Sequence, residues 1–154
     1  MTSLLGLLLA LQSPPAPPQL TPTELSLGAT TALVRRSFVG AELGAAHRPS
    51  GESRIALALA GGAAAGRAAA RAQLTLQLLV NAASRSSVGL YAGVGAAAIT
   101  RRGSPGQGFV ALLLGIEEKP GRRRGWYIES GFGGGVRIAA GWRARWFPSW
   151  WRGS

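Results

Sequence analysis

From residue 24 onward, apolar and polar positions alternate along this chain. Leu74, Leu76, Leu78 and Val80 fall on one parity, and Gln73, Thr75 and Gln77 fall on the other. Successive side chains of a β-strand point to opposite faces, so this period of two predicts a strand with one apolar and one polar face. The split recurs as Val39 and Leu43 against Gly40, Glu42 and Gly44, then as Ile55, Leu57 and Leu59 against Arg54, Ala56 and Ala58. Val88, Leu90 and Val94 oppose Gly89, Gly93 and Gly95, and Val110, Leu112, Leu114 and Ile116 form a row. Ile138, Trp142 and Trp146 oppose Arg137, Gly141, Arg143 and Arg145. Eight strands are predicted, at 24–34, 38–46, 54–61, 67–80, 87–99, 107–116, 126–133 and 136–146. Turn-forming sequences punctuate them, among them Arg48-Pro49-Ser50-Gly51, Gly103-Ser104-Pro105-Gly106, Lys119-Pro120-Gly121 and Gly133-Gly134-Gly135. Evenly spaced hairpins without intervening helices predict an all-β fold, an up-and-down antiparallel meander closed into a barrel of about eight strands.

The charges test this assignment, because the faces were set by the aliphatic residues. Glu24, Glu42, Arg54, Arg67, Arg71, Glu129, Arg137, Arg143 and Arg145 all share the face opposite the aliphatics. In a soluble sheet that polar face would meet water and carry dense polar cover. Here it is mostly Gly and Ala with scattered charges, which suits the narrow lumen of an eight-stranded barrel. The aliphatic face then points outward into lipid, making the barrel transmembrane. Leu79, Ile99, Phe109, Leu113, Tyr91 and Tyr127 are exceptions, lying on the polar face.

Composition narrows the alternatives. With 23 glycines among 154 residues, a helical bundle is disfavoured. The apolar stretch 55–66 ends at Arg67 and Arg71, too short for a membrane helix. There is no cysteine and only one histidine, His47, so disulfides, thiolate metal sites and imidazole clusters are excluded, and no cofactor is expected. Seventeen Lys and Arg against six acids give a net charge of +11. Such a balance admits nucleic acid or anionic lipid partners. The alternation from Arg143 to Trp151 separates arginines from tryptophans, however, so no stacking nucleic-acid platform is expected.

At this point the sequence resembles the small bacterial outer-membrane β-barrel superfamily, the OmpA-like and porin-like eight-stranded proteins. The resemblance spans roughly residues 24–147 and is most specific at the end, where Gly141, Ala144 and Trp146, followed by Phe147, match the spacing of a closing strand. It implies that these residues serve as a signal to the barrel-assembly machinery. It also implies an exported, outer-membrane location, contact with outer-membrane lipid and a monomeric state. Trp126, Trp142, Trp146 and Phe147 are expected at the membrane interface near the chain termini, with Phe38, Phe109 and Phe132 towards the opposite end. Residues 1–20, with the apolar run 4–11 and prolines 14, 15, 17 and 18, read as a signal-peptide-like segment and linker. The barrel is expected over 21–147, and 148–154 form a tail.

No catalytic constellation emerges, and the protein is not expected to be an enzyme. Glu117 and Glu118 are adjacent, so they point to opposite faces and cannot act as a paired acid and base. His47 reads as a turn residue. The candidate site is a lumen charge cluster of Glu24, Glu42, Glu129, Arg137, Arg143 and Arg145. It can serve either as a structural plug of ion pairs or as a cationic constriction of a narrow pore. A soluble periplasmic barrel that binds a lipid or other apolar ligand is the alternative architecture.

Overall fold

The computed structural model describes residues 20–33 and 37–151. The segment expected to be a signal peptide and linker therefore lies outside the described residues, except at Leu20. Eight strands follow in order: β1 (Thr23–Leu33), β2 (Phe38–Ser50), β3 (Ser53–Ala64), β4 (Arg67–Val80), β5 (Val88–Arg101), β6 (Ser104–Glu118), β7 (Arg124–Phe132) and β8 (Val136–Trp146). Each pairs antiparallel with its neighbours, and β1 pairs with β8 from Thr23↔Trp146 to Leu33↔Val136, closing the barrel. Closure removes the unpaired strand edges along the length that all eight strands share. The strands reach or exceed the roughly 9–11 residues that a tilted strand needs to cross a bilayer.

Polarity is inverted relative to a soluble barrel. Leu114 is 69% exposed and Trp142 73%, whereas Arg48 and Arg54 are fully buried. Leucines and valines of all eight strands or their β-branched equivalents form an outer apolar surface, and the arginines and glutamates fill the inside. Such a surface is stable against hydrocarbon and not against water. Among the described residues no helix is long and apolar enough to cross a membrane.

The two ends differ. Away from the termini the connections are minimal, with Ala65-Gly66 joining β3 to β4 and Arg102-Gly103 joining β5 to β6. Both Ala65 and Gly66 have positive φ (50° and 73°), the geometry that lets a two-residue hairpin follow the sheet's right-handed twist. At the terminal end, residues 81–87 and 119–123 make longer turns.

Strand limits depart from the sequence reading where punctuation was taken too literally. Arg48, Pro49 and Ser50 belong to β2, not to a turn. Pro49 lies past the last β1–β2 pair, Thr23↔His47, at a register shift in the β2–β3 ladder, so its missing N–H breaks no regular pairing. His47 likewise sits within β2, with Nδ1 3.4 Å from Thr23 Oγ1. Ser104 and Pro105 begin β6, leaving Arg102-Gly103 as the turn.

The off-pattern apolar residues become intelligible as interior fillers. Leu79, Tyr91 and Leu113 pack with Ala82 towards the terminal end. At the other end Phe38 packs with Ala32, Ala60 and Ala64, and Ile99 leans on that group. Phe38, expected at a membrane interface, is thus wholly inside the barrel, and of the three phenylalanines assigned to that end Phe132 faces outward, 62% exposed.

Candidate functional site

Among the described residues, the lumen is where charge is buried together. Its inward positions carry Glu24, Glu42, Glu117 and Glu129 with Arg48, Arg54, Arg71, Arg137, Arg143 and Arg145, all buried. Strand parity delivers each one. Even-numbered residues of β2 face inward, which places Glu42 and Arg48 in the lumen, while odd residues of β8 place Arg137, Arg143 and Arg145 there. Glycines on the same face leave room for the long side chains. The Tyr91 ring, for example, lies where a side chain at Gly115 would stand.

The charges divide into two groups along the barrel. Towards the terminal end, two carboxylates meet four guanidinium groups. Glu24 lies 2.6 Å from Arg48 Nε, 3.1 Å from Arg54 Nη1, 3.4 Å from Arg143 Nε and 4.0 Å from Arg145 Nε. Glu117 accepts from the same four: Arg48 Nη2 at 3.3 Å, Arg54 Nη1 at 3.0 Å, Arg145 Nη2 at 2.9 Å, and Arg143 Nη1. Each carboxylate therefore touches every arginine of the group. Aromatic faces and amide oxygens support the cations further. Arg54 stands 4.4 Å over the Tyr91 ring and donates through Nε to Gln77 Oε1 at 2.7 Å, and Arg143 stands 4.7 Å over Tyr127.

Farther along, the ratio reverses. Arg137 donates through Nη2 to both oxygens of Glu42, at 2.6 and 2.7 Å, and through Nη1 to Glu129 at 2.7 Å. The Tyr91 hydroxyl donates to the other Glu129 oxygen at 2.8 Å. Arg143 reaches that oxygen too, at 3.5 Å, and so bridges the two groups. Arg71 has no carboxylate within ion-pair distance among the described residues. It donates instead to Gly133 O at 2.7 Å and Gln73 Oε1 at 2.6 Å.

The cavity left among Glu24, Glu42, Gln73, Tyr127 and Arg143 measures about 20 Å³. That is room for about one water. No group of His, Cys, Asp or Glu among the described residues could hold a metal ion.

All six residues that the sequence assigns to the cluster, Glu24, Glu42, Glu129, Arg137, Arg143 and Arg145, face the lumen. Sequence reasoning missed Arg48 and Glu117, and placed Arg54 and Arg71 on the polar face but left them outside the cluster. Glu117 was set aside with Glu118, yet its adjacency is what separates the two: Glu117 points in, and Glu118 is paired outside with Lys119 at 3.0 Å. The parity row of Val110, Leu112, Leu114 and Ile116, continued by one residue, would have found it.

Trp126, Trp142, Trp146 and Phe147 lie towards the terminal end. Trp126 and Trp142 are register partners between β7 and β8, and Trp142 and Trp146 point outward. Phe147 rests 6.0 Å from Trp151, whose Nε1 donates to Gly121 O at 3.2 Å and whose ring lies 4.2 Å beneath Arg85. Gly141, Ala144 and Trp146 all lie on β8, the strand that closes the barrel against β1.

No protein-family model matches the chain, and no curated protein matches it. Solved structures do. The N-terminal β-barrel domain of Pseudomonas aeruginosa OprF aligns with a TM-score of 0.62 at 11% identity, covering 81% of this chain and 97% of that one. Neisserial surface protein A aligns at 0.53 and 12% identity, over 82% and 97% of the two chains. Ail, the attachment invasion locus protein of Yersinia pestis, aligns at 0.53 and 11%, over 83% and 99%. The fold is therefore that of the small eight-stranded outer-membrane β-barrels.

Proposed function

We propose that this protein is a monomeric, non-catalytic structural barrel of a bacterial outer membrane, with a lumen sealed by ion pairs. The observation that carries this reading is the lumen itself: ten buried charged side chains fill it, and the space left among Glu24, Glu42, Glu129 and Arg143 is a cavity of about 20 Å³. A hydrated ion needs a continuous wet path, and a space for about one water offers none. The alternative of an apolar-ligand carrier is not favoured, because a carrier's cavity is apolar and the inside here is ionic. Adhesion through long outer loops gains no support from two-residue connections such as Ala65-Gly66 and Arg102-Gly103. Gly141, Ala144 and Trp146 would present the closing strand to the assembly machinery, and the Trp126–Trp142 pair with Trp146 and Phe147 would anchor one membrane interface.

Two measurements test the reading together. The protein reconstituted in vesicles should migrate faster on gels when unboiled, as a folded barrel, and should give no steady current in planar bilayers. Sustained anion-selective conductance that disappears on neutralising Arg137 or Arg71 would replace the sealed barrel with a pore.

A further inference from the structure

The rim of the barrel away from the termini is uneven. Against β5, β6 is paired over its whole length, from Val88↔Glu118 to Arg101↔Ser104, with one irregularity between Ile99 and Arg101. Against β7 its ladder is much shorter and runs only from Glu117↔Tyr127 to Leu112↔Phe132. The cause is strand length: β6 has 15 residues and β7 has 9, and β7 turns back into β8 through Gly133, Gly134 and Gly135. Residues 104–111 therefore rise past that turn with β5 on one side and no paired strand on the other. Such a length extends roughly 25 Å along a strand.

Alternate N–H and C=O groups of this stretch point away from β5 and meet no ladder partner among the described residues. Hydrocarbon does not tolerate an open strand edge, so the stretch stands beyond the bilayer, past the level of Phe132. The outward side chains agree. They shrink from Leu112 and Val110 to Gly108 and Gly106, beside Ala98 and Thr100 of β5. An apolar hollow of about 640 Å³ results, and it reaches the edge at Gly106 and Gly108. Natural proteins usually blunt an exposed edge with charge or proline. Here Pro105 guards the tip alone, and residues 106–111 contain neither.

The tip of this edge is basic. Arg101 ends β5, Arg102 lies in the turn that leads into β6, and the Arg67 guanidinium lies beside Gly103 of the same turn. None of the three has an ion pair among the described residues. Glu24, Glu42, Glu117 and Glu129 are held in the lumen, and Glu52 and Glu118 are at the terminal end.

We propose that the free edge of β6 receives an extended, acidic segment of another protein as an added strand. The backbone groups of residues 104–111 supply the ladder, as in other cases of strand addition to a sheet edge. Antiparallel pairing is the commoner and slightly more stable arrangement, so the segment runs from Ala111 towards Ser104. Its C-terminal end then arrives at Arg101 and Arg102, where its carboxylates belong. An apolar side chain of the segment lies across Gly106 and Gly108 into the hollow, where a side chain at Gly108 would meet nothing within 4 Å. A second copy in the same membrane does not fit. Barrel strands tilt by roughly 35–45°, so the β6 edges of two upright copies would cross instead of lying side by side. The inference rests on the membrane reading above, and the test separates the two.

The barrel is reconstituted in phosphatidylcholine nanodiscs, which leave both faces accessible, and insertion is checked by gel shift. The probe is a fluorescein-labelled peptide, Thr-Val-Thr-Ile-Thr-Val-Asp-Glu, followed by fluorescence anisotropy. Binding should be saturable, and R101Q/R102Q should weaken it by up to about tenfold. Two further peptides carry N-methyl groups on alternate amides, one set in each phase. One set should abolish binding and the other should spare it, because only one faces β6. The chain has no cysteine, so single cysteines report the register. A cysteine at the peptide's N-terminal end should form a disulfide with Val110→Cys and not with Gly106→Cys, and one at its C-terminal end should do the reverse. Equal behaviour of the two methylated sets would overturn the proposal and leave a diffuse basic collar. The opposite cross-linking pattern would overturn the antiparallel placement. Homodimers cross-linked through Gln107→Cys without peptide would give the edge to a second copy. An inserted barrel that binds no peptide would sink the site and leave the membrane reading standing, whereas failure of the wild-type chain to insert would sink that reading itself.

Discussion

The two halves of the lumen solve the burial of charge differently. Near the termini, Glu24 and Glu117 are each shared by the same four arginines, leaving two positive charges in excess. Farther along, Arg137 is shared by Glu42 and Glu129, and with Arg71 the charges there balance. In the first group a carboxylate is the scarce partner, and in the second a cation is. Losing one partner from a buried pair leaves an uncompensated charge, and guanidinium cannot shed its proton to relieve it. The scarce partner of each group should therefore be the most sensitive position in it.

The largest effect is expected for Glu117→Gln, which leaves four arginines facing Glu24 alone. It should cost up to ~3–5 kcal/mol, read as a lower urea midpoint for the barrel in vesicles. Adding Arg48→Met to that variant should recover part of the loss, because it restores the original charge excess. Recovery would be absent if Glu117 mattered only for packing. Next comes Leu76→Arg on the lipid face, at about 2–4 kcal/mol if the position sits at the bilayer midplane, measured by the same unfolding experiment. Glu42→Gln should cost less than Glu117→Gln, since Arg137 keeps Glu129 at 2.7 Å. A larger loss from Glu42 than from Glu117 would break the contrast between the two groups. Arg71→Gln should cost less, about 1–3 kcal/mol, because the arginine gives up buried hydrogen bonds to Gly133 O and Gln73 but no ion pair. Glu118→Gln, on the exposed pair with Lys119, should leave the unfolding midpoint unchanged.

Much of the fold was legible in the sequence because the side-chain period of a strand is two and one face is strongly selected. Thr75 and Leu76 differ by one position, and their surroundings differ completely: Thr75 is 3% exposed and Leu76 53%. Strand ends were harder to read, since nothing local distinguishes Pro49 in a turn from Pro49 beyond the last paired residue of a strand. That boundary hid Arg48. The partnerships themselves were not legible. Glu117 on β6 meets Arg48 on β2 and Arg54 on β3 across the lumen, so which residues meet depends on barrel closure and stagger, not on parity. Tyr91 and Tyr127 broke the alternation, and the structure gives the reason: they fill the interior and offer their rings to the arginines.

The terminal-end group has a consequence for how the barrel comes to exist. Its members are scattered over β1, β2, β3, β6 and β8, and the β1–β8 seam is the last junction that sequence-local hairpins can form. Only the β1–β2 hairpin holds a carboxylate and an arginine of this group together, Glu24 with Arg48, whereas Glu117, Arg54, Arg143 and Arg145 meet their partners of the group across strands outside their own hairpins. A half-built sheet would expose several bare guanidinium groups to hydrocarbon, each at considerable expense. Partial insertion is thereby disfavoured at every intermediate stage, and the reward arrives only when the first and last strands zip together. Assembly should accordingly be all-or-none, with long-range contacts setting its pace.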